Sequence, residues 1–421
     1  MPERTQRPRP RGPVEGGRSR VLDLAALAAV LGLAVLVAAD GSPAWRVVRV
    51  VAVAGTAAAL VEAGRRGSAL RRGMVSAVLG ALVVPVGLGF LPHLVKDGVT
   101  ILAVAGALVL AGGLILLVIG AAVLASGGGV VRRVAAIAGT LVVATVAALV
   151  VGPAVAATNV PHVAIGATPD SVGLDHTALA VETADGVQLA AWYVPSTNRA
   201  AVVLLHGAGS TRSNVLRHAV VLADHGYGVL LLDARGHGES DGRAMDFGWW
   251  GDADVTAAVD LLAGRADVDP ERIGVVGLSM GGEEAIGASA ADDRIRAVVA
   301  EGATARSAGD EAWLSEVYGL RGSVQEGLEV LQDWVTGLLT DAPRPISNRG
   351  AVERSGATRY LLVAAADVSS EVHTAEDLER RTPDRVEVWV VEGAGHTEGV
   401  EVAPDEWERR VVGFLDDVLL S

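Results

Sequence analysis

The sequence predicts an α/β domain, a mostly parallel sheet wrapped by helices, preceded by an all-α transmembrane bundle. Two observations carry this. From about residue 176 onward, short apolar runs rich in Val, Leu and Ile alternate with helix-like stretches, which is the pattern of a parallel sheet with crossover helices. Before residue 158 the chain is apolar in stretches too long and too many for the core of one small domain. The whole chain is 51% hydrophobic with a mean hydropathy of +0.41, more apolar than an ordinary water-soluble domain.

The N-terminal part divides into a basic leader, 1–20, and a transmembrane region, 21–157, of about five helices. The expected spans are 21–39, 47–63, 74–95, 99–125 and 134–157, each about the length of a bilayer's hydrocarbon core. The first has the basic flank of a signal peptide, but four further stretches follow it, which favours a bundle. Gly106, Gly112, Gly113 and Gly120 recur in the fourth stretch, a small-residue spacing that lets membrane helices pack closely. Glu62 and His93 fall near span ends, so no acidic residue or histidine sits mid-span to mark an ion path. Arginines 4, 7, 9, 11, 18 and 20 lie in the leader, 65, 66, 71 and 72 in the second loop, and 132 and 133 in the fourth. The intervening loops hold only Arg46, Arg49 and Lys96. This alternation sets a cytoplasmic N-terminus, and five crossings then place the C-terminal domain outside a cell membrane.

A linker, 158–175, with Pro161 and Pro169, leads to the second domain, 176–421. Ala184-Asp185-Gly186 is the turn of a hairpin between 179–183 and 187–193. Strands are then expected at 201–205, 228–232, 273–277, 297–300, 359–364 and 386–391, with helices at 212–225, 253–264, 280–290 and 405–419. Residues 302–357 separate two strands and carry Trp313, Leu320, Leu328, Leu331, Trp334 and Leu338 at helix-like spacing. They read either as a crossover with an added helix or as a lid over Ser279.

Within this domain Gly277-Leu278-Ser279-Met280-Gly281 joins an apolar strand to a helix start. A serine at such a turn is lifted clear of the sheet, with the Met280 N–H aimed where an acyl oxygen would gain charge. Upstream, the strand 201–205 runs into His206-Gly207-Ala208-Gly209, where Ala208 offers a second N–H. Downstream, Val391-Glu392-Gly393-Ala394-Gly395-His396 ends a strand in a histidine. Asp367 and Glu371 stand between, after the strand 359–364. With Asp233 to Ser240, these motifs make residues 175–420 resemble the α/β-hydrolase family, in which serine, acid and histidine follow in that order. The resemblance implies Ser279 as nucleophile, His396 as base, and Ala208 and Met280 as oxyanion donors. It implies an acid a few residues past the seventh strand; Asp367, nearer the strand end, is preferred, and Glu371 is its rival.

Other residues have plainer readings. His206 and His237 are expected to order loops through hydrogen bonds, and Glu283 and Glu284 to suit a helix N-terminus without chemistry. Trp249 and Trp250 fit a satellite core better than a cleft. The part before residue 158 carries 15 basic and six acidic side chains, a net of +9, and the rest a net of −23. An acidic domain repels phosphates and excludes nucleic acid as a partner. A single lysine, Lys96, among 35 basic residues suggests GC-rich coding and a bacterial source. Without cysteine there is no disulfide or thiolate site, and no metal or cofactor is implied. The expected function is a membrane-anchored serine hydrolase cleaving an ester or amide, esters before peptides, through an acyl-enzyme. The expected partners are a small-molecule, lipid or peptide acyl substrate and the lipid bilayer. Alternatives are an acyltransferase with the same residues, or a non-catalytic scaffold with a hydrolase-like domain.

Overall fold

A computed structural model of the chain describes residues 13–38, 43–126 and 129–421. The first twelve residues of the basic leader, with Arg4, Arg7, Arg9 and Arg11, lie outside the described residues. The chain forms two compact units, Met1–Ala156 and Ala157–Ser421.

The first unit is helical: Pro13–Ala38, Pro43–Arg66, Ala69–Gly89, Leu91–Lys96, Ile101–Ala125 and Val130–Ala157. Among the described residues, four helical stretches are long and apolar enough to cross a membrane: Arg20–Ala38, Ala69–Lys96, Ile101–Ala125 and Val130–Ala157. The second expected stretch, 47–63, lies in the helix Pro43–Arg66 and is not one of these four. The stretch 74–95 is interrupted at Phe90, where Pro92, lacking an N–H, opens a new helical turn. Glycines let the backbones meet. A methyl group at Gly120 would stand 2.4 Å from the Ala77 nitrogen, and one at Gly112 2.6 Å from the Ala25 carbonyl oxygen. Small residues at these positions are what permits so close a backbone approach.

The second unit is an eight-stranded sheet. Its strands are β1 (Thr177–Glu182), β2 (Gln188–Val194), β3 (Ala201–Leu205), β4 (Gly228–Leu232), β5 (Ile273–Leu278), β6 (Ile295–Glu301), β7 (Arg359–Ala365) and β8 (Val386–Val391). The spatial order is β1-β2-β4-β3-β5-β6-β7-β8. Strand β2 runs antiparallel to both its neighbours, and β4 to β8 with β3 are mutually parallel. This is an α/β-hydrolase fold.

Side chains alternate along each strand, so Val203, Leu205 and Val275 face one layer and Val202, Leu204 and Val276 the other. The first layer is closed by helices Gly251–Ala263, Met280–Ala288 and Ser369–Arg381, the second by Leu216–Asp224 and Pro404–Leu419. Burial on both faces explains why the central strands are apolar throughout rather than alternating. Two helices the sequence pattern did not mark, Asn348–Arg354 and Ser369–Arg381, complete the crossovers to β7 and β8. The linker is bound to this unit: the Val160 N–H donates to the Arg243 carbonyl at 3.2 Å, and His162 Nε2 lies 3.0 Å from the Gly242 carbonyl oxygen.

Candidate active site

Strand β5 is flanked by β3 and β6, and all three release their chains at the same end of the sheet. Ser279 follows β5 with φ +53° and ψ −120°, a conformation L-residues seldom adopt and one that costs about 1–3 kcal/mol. The surroundings over-determine it. The Ser279 N–H donates to the Glu301 carbonyl at the end of β6, at 2.7 Å. A side chain at Gly277 would meet the Gly281 carbonyl oxygen at 2.1 Å, and one at Gly281 the His206 carbonyl oxygen at 2.7 Å. Only glycines allow the helix Met280–Ala288 to start this close to the sheet.

His396 reaches Ser279 from the loop after β8. Its Nε2 lies 2.9 Å from Ser279 Oγ, and its Nδ1 2.6 Å from Glu371 Oε1. Glu371 is buried, its side chain 1% exposed, and its Oε2 accepts the Ala365 N–H at 2.8 Å. Both carboxylate oxygens are therefore satisfied, as a buried charge requires. The preference for Asp367 is corrected. Asp367 is exposed in the turn after β7, whereas Glu371 sits in the first turn of Ser369–Arg381, which aims it back under His396.

The Glu371 hydrogen bond raises the His396 imidazole above its ordinary range, against the opposing effect of burial. The carboxyls of Glu283 and Glu301 act in the same direction. Glu283, pushed up to about 7 by burial, accepts the Thr304 N–H at 3.0 Å.

The Ala208 and Met280 backbone N–H groups find no acceptor among the described residues. Met280 is the first residue of its helix, where an N–H has no intrahelical partner. Ala208 is placed by two buried histidines. His206 Nε2 accepts from Ala234 N at 3.0 Å and its Nδ1 donates to the Gly207 carbonyl at 2.7 Å. His237 Nε2 accepts from Gly209 N at 3.0 Å and its Nδ1 donates to the Arg235 carbonyl at 3.1 Å. Burial lowers both to about 4, which keeps one nitrogen of each as an acceptor at neutral pH.

A cavity of about 290 Å³ adjoins Ser279, lined by residues of 207–218, 278–279 and 396–401, and none of its lining comes from 302–357 among the described residues. His218 lines it from the helix Leu216–Asp224, 3% exposed, with both ring nitrogens unpartnered and its ring edge-on to Trp407 at 5.1 Å. Trp249 is buried, and Trp250 takes the Arg235 guanidinium over its ring at 4.2 Å; neither lines the cavity.

Three positioning elements were not read from the sequence. The Glu301 side chain accepts from Gly399 N at 2.8 Å and Trp407 Nε1 at 2.9 Å. Gly302, with φ +70°, passes under the imidazole, where a side chain would lie 3.0 Å from His396 Cε1. Thr304 ties Glu283. A glutamate directly after the apolar run 297–300 was the available signal.

The second unit has the α/β-hydrolase fold, with a serine, a histidine and a carboxylate brought together at the ends of its strands. Residues 196–397 match the family described as serine aminopeptidase, S33. The chain is 42% identical over 110 residues to an uncharacterized protein of Mycobacterium tuberculosis, covering 25% of this chain and 38% of that one. It is 33% identical over 143 residues to the thiohydrolase aneE of Aspergillus aculeatus, covering 31% and 43%. The chain thus spans about two fifths of the length of these relatives. Among solved structures, the Pyrococcus furiosus esterase Pf2001 is similar with a TM-score of 0.51 and 25% identity, covering 62% of this chain and 98% of that one.

NMR titration of the His396 ring in the full chain checks the Glu371 contact. Glu371→Gln should lower the imidazole pKa, and Asp367→Asn should leave it in place. A drop with Asp367→Asn alone would contradict the geometry.

Proposed function

We propose that this protein is a membrane-anchored serine hydrolase that cleaves carboxylic esters in preference to amides, through an acyl-enzyme. The observation that carries the reading is the continuous chain of hydrogen bonds from Ser279 Oγ through His396 to the buried Glu371 carboxylate. In this mechanism His396 Nε2 takes the Ser279 proton as Oγ attacks the acyl carbon, while Glu371 holds the Nδ1–H tautomer and stabilises the imidazolium. The Ala208 and Met280 N–H groups receive the tetrahedral oxyanion. His396 then protonates the leaving group, and the same residues run in reverse with water as nucleophile. Likeness to an esterase supports the ester preference.

Ser279→Ala should lower ester hydrolysis by about 10⁴-fold or more, and Glu371→Gln by about 10⁴-fold. Because the base must be neutral, wild-type activity should fall as pH drops through the raised His396 pKa. Turnover of p-nitrophenyl esters of increasing chain length, measured from pH 5 to 9, reads all three. Near-wild-type rates in Ser279→Ala would end the serine mechanism.

Anchoring rests on the four membrane-length helices. We place the hydrolase unit on the extracytoplasmic side. That requires the helix Pro43–Arg66 to cross as well, and the arginines favour it. Were it to stay out, the connection between its flanking spans would carry Arg46, Arg49, Arg65, Arg66, Arg71 and Arg72 on the wrong side. An alkaline phosphatase fusion after Ser421 should be active and a fluorescent reporter that folds only in the cytoplasm should be dark. The reverse pair of results would put the unit inside.

A further inference from the structure

The helix Leu320–Leu339, within the insertion between β6 and β7, is built inside out. Its large apolar residues Leu320, Val324, Leu331, Trp334 and Leu338 recur at intervals of three, four and seven, on one face. That face points away from the domain: Leu320 is 83% exposed, Leu338 63%, Val324 57% and Trp334 54%. The opposite face carries the carboxylates and is turned inward. Glu326 Oε1 accepts the Ser315 N–H at 2.7 Å, and Asp333 Oδ2 accepts the Ala308 N–H at 2.9 Å. Desolvation raises the Glu329 and Asp333 carboxyls, as expected of acids held against protein rather than water.

A water-soluble surface helix would present the reverse arrangement. Here the acids anchor the helix and the outward arc holds no charged residue. An apolar partner is required, and the chain supplies reasons to choose among candidates. A helical seam with a second copy would be narrow and flanked by charged positions that pair across it. This face is broad, its flanks Val330 and Val335 are apolar, and Gly327 leaves a gap in its middle. Trp334 is the residue type that settles at the membrane–water boundary. The chain itself also holds the unit close to any bilayer its helices cross. Val160, already hydrogen-bonded within the hydrolase unit, lies three residues beyond the end of Val130–Ala157. Three residues reach at most about 10 Å.

We propose that the outward face of the helix Leu320–Leu339 lies in the interfacial layer of the lipid bilayer that anchors the chain. The occupant is the acyl-chain boundary of a zwitterionic or neutral leaflet, since a domain of net charge −23 gains nothing from anionic headgroups. The face would then hold the insertion between β6 and β7 at the membrane surface. This rests on the membrane-anchored reading above, and the test separates the two.

The cysteine-free sequence allows single labelling sites in the full chain. Leu331→Cys and Trp334→Cys report the helix, Val118→Cys reports the span Ile101–Ala125, and Ser421→Cys is the aqueous reference. Each carries the fluorophore bimane, in phosphatidylcholine nanodiscs with and without lipid bearing an acyl-chain nitroxide. The proposal expects quenching at 331 and 334 comparable to that at 118, and none at 421. Quenching at 118 but not at 331 or 334 would overturn the docking and leave the anchor standing. Loss of quenching at 118 too would overturn both. Labels at 331 and 334 shielded from lipid nitroxide and from aqueous iodide alike would show a protein cover, a second copy or the bundle, and would also overturn it.

Discussion

The site is organised around the backbone of Ser279, held at φ +53° by its N–H bond to the Glu301 carbonyl. That strain of about 1–3 kcal/mol persists only because β5 lies between β3 and β6 and two glycines let the following helix begin against the sheet. Glu301 does more than receive the serine. Its side chain accepts from Gly399 and Trp407, which fixes the chain just beyond His396. One residue at the end of β6 thus positions the serine turn through its backbone and the histidine loop through its carboxylate. Gly302 next to it leaves the imidazole room to lie 2.9 Å from Ser279 Oγ.

Charge in this region is arranged by burial. Glu371 keeps two hydrogen bonds in a site that is almost closed to water, so losing His396 or the Ala365 N–H would leave a buried oxygen unpaired. His206 and His237 show the opposite effect: desolvation holds them neutral, and neutrality is what lets each accept a backbone N–H of the loops beside Ala208. Protonation of either would replace an acceptor by a donor and release the loop. The loop geometry beside Ser279 therefore depends on histidines that take no part in the proposed chemistry.

The sheet was legible because its central strands are buried on both faces and so read as unbroken apolar runs. The serine turn was legible because close packing there admits only glycine. The acid was not. Ser369–Arg381 has a mostly charged surface and only Val372, Ala375 and Leu378 as an apolar stripe, too thin a signal to mark a helix. Without that helix, distance along the chain favours Asp367; with it, the first turn carries Glu371 back beneath the imidazole. The helix Leu320–Leu339 was legible in part. Its spacing showed a helix with an apolar face, but sequence cannot say that the face looks outward, because that depends on the acids bonding to Ala308 and Ser315. In the N-terminal unit the recurrent glycines of 99–125 announced close packing, and Gly112 and Gly120 do meet neighbouring backbones.

The proposed mechanism makes one hydroxyl, that of Ser279, reactive among all the serines of the chain. The direct measurement is peptide mapping by mass spectrometry after the full-length protein has reacted with a fluorophosphonate. A single phosphonylated peptide is expected, the one containing Gly277 to Gly281, with the adduct on Ser279 and its formation abolished by prior denaturation. Labelling spread over several serines, or an adduct elsewhere with Ser279 unmodified, would contradict it.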